Sequence, residues 1–308
     1  MKLRAYLLML AVVAVWGSTF VIVKAALSDS TPAAFNMVRM LLAFAVLAVA
    51  YRGAWRQIRR SQIAAGALVG LLMALGYQFQ TVGLARTTPS KSAFITGLLV
   101  VMVPIFSLIP GLHPHGSRRP GWNAFAGAFI ALAGIVLLTT PASTGTTGLS
   151  ALLPDFSSIN LGDVLTFGGA IAFALHCISL AHTSPRIGFR PLALMQVGFC
   201  ALFMTVTMPL IEHPVIHWTP RLIGALLICA VLATSAAYSI QTWAQSVLPP
   251  THTALILTME PVFAWLTSFL FFGERLGLRP ASGAALILAG ILMTELLSPS
   301  SAPSNHEA

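Results

Sequence analysis

Charged residues are scarce in this chain: Asp, Glu, Lys and Arg together make up 8% of its 308 residues. A soluble domain usually has about 25% charged residues, so the polar surface that keeps a protein in water is missing here. Hydrophobic residues account for 57% of the chain, and the mean hydropathy is +0.86. These values exclude an ordinary soluble protein and indicate an integral membrane protein.

Acidic residues are especially few, with eight Asp and Glu against 17 Lys and Arg, and the net charge is +9. In a soluble protein this balance would suggest nucleic acid as a partner. Here the basic residues lie in short links between apolar runs, where they set the topology of membrane helices. We therefore expect the lipid bilayer, and no nucleic acid, as a partner.

Cysteines and the common cofactor motifs are also lacking. The three cysteines lie far apart inside apolar runs, which gives neither a disulfide framework nor a metal-binding spacing. The chain has no Walker motif, no dinucleotide-binding glycine pattern and no HExxH motif. We expect no cofactor and no metal, and the sequence does not support ATP-driven transport or metalloprotease chemistry.

Long apolar runs dominate the sequence, and each has the roughly 17 to 25 residues that a helix needs to cross a bilayer. The first run continues through WGSTFVIV and further runs follow it, which distinguishes it from a cleaved signal peptide. The runs predict ten membrane spans at about 4–24, 33–51, 62–84, 91–110, 121–140, 161–182, 191–211, 221–244, 252–273 and 279–297.

The distribution of Lys and Arg predicts how these spans are oriented. Basic residues are more frequent on the flanks that face the cytoplasm if the N-terminus lies there. By the positive-inside rule, this distribution predicts that both termini lie in the cytoplasm. The chain is then a multi-pass protein of the cell (inner) membrane. The final segment, 298–308, is polar and predicts a disordered cytoplasmic tail.

The two halves of the chain resemble each other. The segment GAFIALAGI at 127–135 recurs as GAALILAGI at 283–291. Each half holds five spans, an odd number, so the second half must enter the membrane with the opposite orientation. The sequence thus predicts an all-α protein of two inverted five-helix repeats, 1–140 and 161–297, joined by a loop at 141–160, with a binding site between them. Three polar residues recur with a shift of 161: Tyr77, Gln80 and Thr81 match Tyr238, Gln241 and Thr242.

Several motifs together resemble the drug/metabolite transporter superfamily, in its EamA-like branch. They are WGSTFVIVK at 16–24, the arginine in PAAFNMVRMLLA, PSKSAFITGLLVVMVPIFSL, and MEPVFAWLTSFLFFGERL followed by GAALILAGI. The resemblance covers nearly all of residues 5–297. It implies a ten-helix carrier of amino acids, metabolites, nucleotide-sugar-like compounds or toxic compounds, which is often an exporter.

The ninth predicted span carries polar residues at a spacing of seven, which places them on one face of a helix. They are Thr253, Glu260, Thr267 and Glu274. An acid inside a membrane is costly unless it is paired, hydrated or protonated, so Glu260 is expected to bind a substrate amine or a proton. A structural role with a hydrogen bond from Arg39 is the alternative. Pro261 predicts a kink beside this acid, and Glu274 is expected at the outer end of the span.

Other candidate site residues are polar or aromatic side chains inside the predicted spans. The repeated Tyr and Gln residues would form the walls of a central cavity, or hydrogen bonds between helices. Trp16, Phe20 and Trp243 would bind organic or cationic solutes, or lie at the membrane interface. His176 would relay protons or only be hydrogen-bonded, and Arg39 would bind substrate or act as a structural counter-ion. The complete predicted substrate-binding set is Glu260, Tyr77, Gln80, Tyr238, Gln241, Trp16, Trp243, Arg39 and His176.

These observations predict a secondary transporter that works by alternating access and is not an enzyme. Its solute would be small and organic, such as an amino acid, metabolite or drug. The sequence leaves open whether transport is coupled to protons, works by exchange with a counter-substrate or is a uniport. The alternative is a lipid or lipid-linked sugar flippase, with a groove open to the bilayer. An integral membrane enzyme would need a clustered acid, histidine or nucleophile.

Small residues predict close helix packing, within the chain or in a homodimer, at Gly127, Gly134, Gly283 and Gly290.

Overall fold

The computed structural model describes residues 2–112, 121–139, 159–246, 248, 256–257 and 259–296. Within these ranges the regular structure is helical and no β-strand occurs, although an isolated bridge pairs Ser30 with Ile216. Most of the predicted central loop, the tail at 298–308, and Thr253 lie outside the described residues. The prediction of a helical membrane protein is confirmed for the part of the chain that is described.

The described helices come in the following order along the chain. They are α1 (Lys2–Ala26), α2 (Pro32–Ala50), α3 (Arg60–Leu84), α4 (Pro89–Gly97), α5 (Leu99–Phe106), α6 (Trp122–Thr139), α7 (Leu161–Ile187), α8 (Phe189–Ile211), α9 (Pro220–Leu227), α10 (Ala237–Ala244), α11 (Glu260–Phe272) and α12 (Leu278–Leu296). A 3-10 turn, Ala54–Gln57, precedes α3, and a π-helical segment, Ile228–Ala236, joins α9 to α10.

Six of the described helical segments are long and apolar enough to cross a membrane: Leu3–Ala26, Pro32–Ala50, Arg60–Leu84, Leu161–Ile187, Phe189–Ile211 and Pro220–Ala244. They confirm a multi-pass membrane protein. Shorter apolar helices lie in the other four predicted spans: Pro89–Val103, Phe125–Leu138, Glu260–Phe272 and Leu278–Met293. The total of ten spans stays a prediction.

Local sequence signals explain where several helices begin. Thr88 and Thr219 each precede a proline at the first helical position, where the missing N–H of proline costs nothing. Their side chains accept hydrogen bonds from the N–H groups of Lys91 and Leu222, which the helix cannot satisfy itself. Asn160 caps α7 in the same way. These signals end the links and set the first turn of each helix.

Glycines allow α6 and α12 to pack closely. A Cβ added to Gly134 would lie 2.6 Å from the carbonyl oxygen of Gly283, and one added to Gly283 would lie 2.6 Å from that of Gly134. Gly290 meets the carbonyl oxygen of Gly127 in the same manner. The glycine faces noted in the sequence are therefore occupied within the chain, where small residues bring helix backbones together.

Polar contacts join the link after α1 to the link before α9. Asp29 accepts hydrogen bonds from Nε and Nη2 of Arg221, each at 2.8 Å, and from Oγ1 of Thr219 at 2.8 Å. Glu212 Oε1 accepts a hydrogen bond of 2.9 Å from the N–H of Ala34, in the first turn of α2. The ends of four helices are thereby held together on one side of the protein.

The second acid of the predicted polar stripe, Glu274, follows α11 directly. The helix ends at Gly273, whose φ of 62° lies in the left-handed region that glycine tolerates without strain. The Glu274 carboxylate accepts hydrogen bonds from Ser90 at 2.8 Å and from Ser268. It therefore ties the end of α11 to the start of α4.

We predict that Gly283→Ala destabilises the protein, because the added methyl group would meet backbone atoms at 2.6–2.7 Å. Overpacking of this kind costs roughly 1–3 kcal/mol. The measurement is unfolding in detergent, with Gly224→Ala as the control, since a Cβ there meets nothing within 4 Å. Equal unfolding curves for the two variants would contradict the described packing of α6 on α12.

We also predict that part of the stability at neutral pH comes from Asp29. Hydrogen bonds from Arg221, and then from Thr219, hold the pKa of this carboxyl below its ordinary value. Such a group stabilises the fold above its unfolded pKa of about 3.9, and the effect is lost as the pH falls through the folded pKa. Asp29→Asn should therefore lower the unfolding temperature at neutral pH. The difference from wild type should vanish in strong acid, and a constant difference would refute this assignment.

Candidate functional site

Eight of the nine predicted site residues line one cavity between the helices. Its volume of about 50 Å³ is room for a few water molecules. The side chains come from both halves of the chain, and those predicted from the sequence are Trp16, Arg39, Tyr77, Gln80, His176, Tyr238, Gln241 and Glu260. Trp243 is not among the lining residues, and it packs partly buried against the main apolar core.

A buried cation, Arg39, lies at the centre of the polar contacts around this cavity. Its side chain is 3% exposed, and a charge so far from water needs several partners. Nε donates to Oγ1 of Thr234 at 3.0 Å, and Nη2 donates to the hydroxyl of Tyr77 at 3.2 Å. The guanidinium carbon also lies 4.4 Å from the centre of the Tyr77 ring, a cation–π contact.

A hydrogen bond from Arg39 to Glu260 is the alternative role that the sequence predicts for this acid, and that prediction is wrong. Arg39 uses Thr234 and Tyr77 instead, and neither a hydrogen bond nor an ion pair connects it to a carboxylate in the described ranges. The position of a residue along a helix does not fix the direction in which its side chain points. The carboxylate of Glu260 likewise has no hydrogen-bond donor among the residues that are described.

Glu260 is the first residue of α11, and Pro261 occupies the first turn of that helix. The described helix therefore begins at this acid. The kink beside Pro261 stays a prediction, since most of the preceding part of the span lies outside the described residues. A proline in the first turn loses no helical hydrogen bond, and an acid there faces the positive end of the helix dipole. The acid and the proline occur together here because both suit a helix N-terminus.

Two glycines let the start of α11 lie close to the neighbouring helices. A Cβ on Gly17 of α1 would be 2.7 Å from the carbonyl oxygen of Glu260, and a Cβ on Gly97 of α4 would be 2.9 Å from Cγ of Pro261. Larger residues at either position would push α11 away. The glycine of the WGSTF motif thus sets the position of the acid in the cavity.

Aromatic rings form much of the cavity wall. The Tyr238 hydroxyl donates to the Tyr77 hydroxyl at 3.0 Å. The Trp16 ring lies 5.4 Å from the Tyr238 ring, and the Phe173 ring lies 5.2 Å from the Tyr77 ring at nearly a right angle. Trp16 Nε1 donates to the carbonyl oxygen of Ala233 at 2.8 Å, so its polar atom is satisfied. The remaining ring surfaces suit an organic or cationic solute.

The remaining predicted polar residues differ in how far they are satisfied. Gln80 Nε2 donates to Oγ1 of Thr96 at 3.2 Å, and His176 Nε2 lies 3.0 Å from Oε1 of Gln196. Gln241 Oε1 is buried without a hydrogen-bond partner among the described residues. An unpaired buried acceptor is uncommon and costly, so this atom is a natural contact for a ligand.

Comparison with known proteins agrees with this arrangement. The model of the EamA-like transporter family matches residues 3–140 and 160–296. The chain belongs to the EamA-like transporter family. This confirms the resemblance to the drug/metabolite transporter superfamily seen in the motifs.

Individual relatives of this EamA-like protein are also transporters by name. An uncharacterized transporter of Archaeoglobus fulgidus is 30% identical over 295 residues, which cover 96% of this chain and 87% of that protein. The threonine/homoserine exporter RhtA of Salmonella typhimurium is 27% identical over 149 residues, 47% of this chain and 50% of RhtA. A crystal structure with 19% identity has the same fold, with a TM-score of 0.66 over 96% of this chain and 98% of that one.

The cavity of this transporter-family protein also contains residues that the sequence did not predict as site residues. Thr19 and Thr96 lie inside motifs that carried the family resemblance, so the motifs themselves held a signal for them. For the apolar ones no local signal distinguishes a cavity wall from ordinary packing. The residues are Thr19, Thr96, Leu99, Phe173, Cys177 and Leu257.

We predict that Tyr77→Phe destabilises the site, because it removes the acceptor for both Arg39 and Tyr238. Leaving a buried donor unpaired costs about 1–3 kcal/mol. Unfolding in detergent should show this loss. Tyr51→Phe is the matched control, since the hydroxyl of Tyr51 makes no hydrogen bond with the described residues. An equal effect of both substitutions would show that the Arg39 contact contributes little.

Proposed function

We propose that this protein is a secondary transporter that moves a small organic solute by alternating access between two inverted five-helix repeats. The observation that carries the proposal is the central cavity, to which both predicted repeats contribute polar and aromatic side chains. A site at the interface of two repeats is what this architecture uses for transport, because rocking one repeat against the other opens it to alternate sides.

Equivalent contacts in the two halves support the repeat. Asn36 Oδ1 accepts from Thr81 Oγ1 at 3.1 Å, and Gln196 Nε2 donates to Oγ1 of Thr242, the residue matched to Thr81, at 3.3 Å. In both halves an amide residue thus bonds the matched threonine. The matched pair Tyr77 and Tyr238 meet hydroxyl to hydroxyl, as residues beside a two-fold axis would. The family model also matches two segments of nearly equal length.

The solute in this proposal carries a protonated amine. Glu260 lines the cavity without a hydrogen-bond donor from the described residues, and aromatic rings line the same cavity. A desolvated amine would bind there by charge and by cation–π contact. The relative RhtA is named a threonine/homoserine exporter, which supports an amino acid or similar metabolite and supports efflux as the direction. The relatives carry transporter names, so the proposal includes no enzymatic step.

The remaining features of the proposal follow from the sequence. The protein would lie in the inner membrane with both termini in the cytoplasm, as the basic residues of the links indicate. The repeats would span 1–140 and 161–297. Protons or a counter-substrate would drive the cycle, with Glu260 as the proton-binding group in the first case. A homodimer would use surfaces other than the glycine faces of α6 and α12, which are occupied within the chain.

The test is uptake into proteoliposomes across a panel of amino acids, metabolites and cationic dyes, with and without a pH gradient. We expect at least one amine-bearing solute to be transported. Glu260→Gln should lower its transport efficiency roughly 30-fold or more, because one partner of a buried charge pair is removed. Glu274→Gln, an acid on the same polar stripe that bonds Ser90 and Ser268, should retain transport.

Two outcomes would contradict the proposal. Full transport by Glu260→Gln would exclude this acid as the amine site, and unchanged proton coupling in that variant would exclude it as the proton site. Movement of a labelled lipid, with no uptake of any soluble solute, would favour the flippase alternative.

A further inference from the structure

His176, Gln196 and Thr242 form a buried hydrogen-bonded chain between α7, α8 and α10. His176 Nε2 lies 3.0 Å from Gln196 Oε1, and Gln196 Nε2 lies 3.3 Å from Thr242 Oγ1. Thr242 Oγ1 lies 2.6 Å from the carbonyl oxygen of Tyr238, one turn earlier in its own helix. All three side chains are at most 2% exposed, so water does not compete for these bonds.

The directions of these bonds follow from the end of the chain at Thr242. Its hydroxyl has one proton and donates it to the Tyr238 carbonyl, which can only accept. The Thr242 oxygen must then accept, so Gln196 has to present its NH₂ group there and its oxygen to His176. The reversed amide would place two oxygens together with no proton between them. His176 Nε2 therefore carries hydrogen and donates to Gln196.

The proton on Nε2 of His176 determines the role of its second ring nitrogen, Nδ1. When neutral imidazole carries its proton on Nε2, Nδ1 is an acceptor. Nδ1 has no hydrogen-bond partner in the described part of the chain. The imidazole packs at nearly a right angle to the Tyr238 ring, whose centre lies 5.8 Å away. His176 lines the same cavity as Glu260 and Gln241, whose Oε1 also lacks a partner.

We propose that Gln196 is a positioning residue that holds His176 in the Nε2–H form, so that Nδ1 accepts a hydrogen bond from an N–H group of the transported solute. The proposal rests on the proposed function as a solute transporter and adds to it a specificity-determining atom. The unpaired groups of the cavity wall then include three acceptors, from His176, Gln241 and Glu260. A ligand with several N–H donors, such as an ammonium group, offers a hydrogen for acceptors of each of these types.

Two substitutions of His176 separate this role from a structural one. The amide nitrogen of His176→Gln reaches the place of Nε2 and keeps the bond to Gln196, but the acceptor at Nδ1 is lost. The amide oxygen of His176→Asn takes the place of Nδ1, and the bond to Gln196 is lost. We expect His176→Gln to keep the wild-type unfolding temperature. Its KM for the amine-bearing solute transported in the proteoliposome panel should rise roughly 3- to 10-fold, the contribution of one hydrogen bond.

His176→Asn should give the opposite result, with a lower unfolding temperature and a smaller rise in KM. If His176 had only a structural role, the KM would rise only in the variant whose unfolding temperature falls. An unchanged KM in His176→Gln, or a KM that follows stability, would overturn the contact between Nδ1 and the solute.

The tautomer itself is read by NMR of protein labelled with ¹⁵N at histidine, with the His176 signals assigned from their loss in His176→Gln. We expect protonated Nε2 and unprotonated Nδ1 in wild type. Gln196→Leu and Thr242→Val should allow Nδ1–H to appear, because the amide is removed or free to turn. Thr242→Ser keeps the hydroxyl and should match wild type, as should Thr205→Val on the exposed face of α8.

A wild-type spectrum with the proton on Nδ1 would overturn the assignment. This readout needs no transport, so it distinguishes the inference from the proposed function. The expected spectrum together with no uptake of any solute would contradict the function and the solute contact, and would leave the orientation of Gln196 established.

Discussion

A buried guanidinium is the constraint on which the centre of this protein depends. Arg39 lies almost out of reach of water, and no carboxylate in the described ranges neutralises it. Its stabilisation comes from hydroxyl groups and an aromatic face, supplied by Thr234 and Tyr77. Tyr77 in turn accepts from Tyr238, so one charge organises contacts from α2, α3, the π-helical segment and α10. Removing the Tyr77 hydroxyl would leave both Arg39 Nη2 and the Tyr238 hydroxyl without their acceptor.

The π-helical segment belongs to the same arrangement. In it Thr234 donates to the carbonyl of Cys229 and Ser235 to that of Ala230, both five residues earlier. π-helical segments are rare in proteins, and those that occur are often found at functional sites. Here the wider turn presents Thr234 to Arg39 while α10 continues toward Tyr238 and Gln241. The irregular backbone thus lies where the chain surrounds the cavity, as expected for membrane proteins.

Particular residues show how far the sequence carried the site. Tyr77 and Gln80 were found because they recur as Tyr238 and Gln241, and a repeat is visible without knowledge of contacts. The partner of Arg39 was not found, since height along a helix is readable from a sequence but rotation about its axis relative to neighbours is not. The same limit hid Gln196, which belongs to no motif and whose contact with His176 is visible only in the structure.

Composition alone determined that the chain is a membrane protein, because so few charged residues cannot form the polar surface that a soluble protein needs. The apolar runs determined where the long helices lie, and the motifs determined the family. Only the tertiary structure decided which polar groups are satisfied and which remain open to a ligand. Hydrogen bonds between distant helices depend on how the helices cross, and the glycines at the crossings, such as Gly17 against Glu260, act only once both helices are in place.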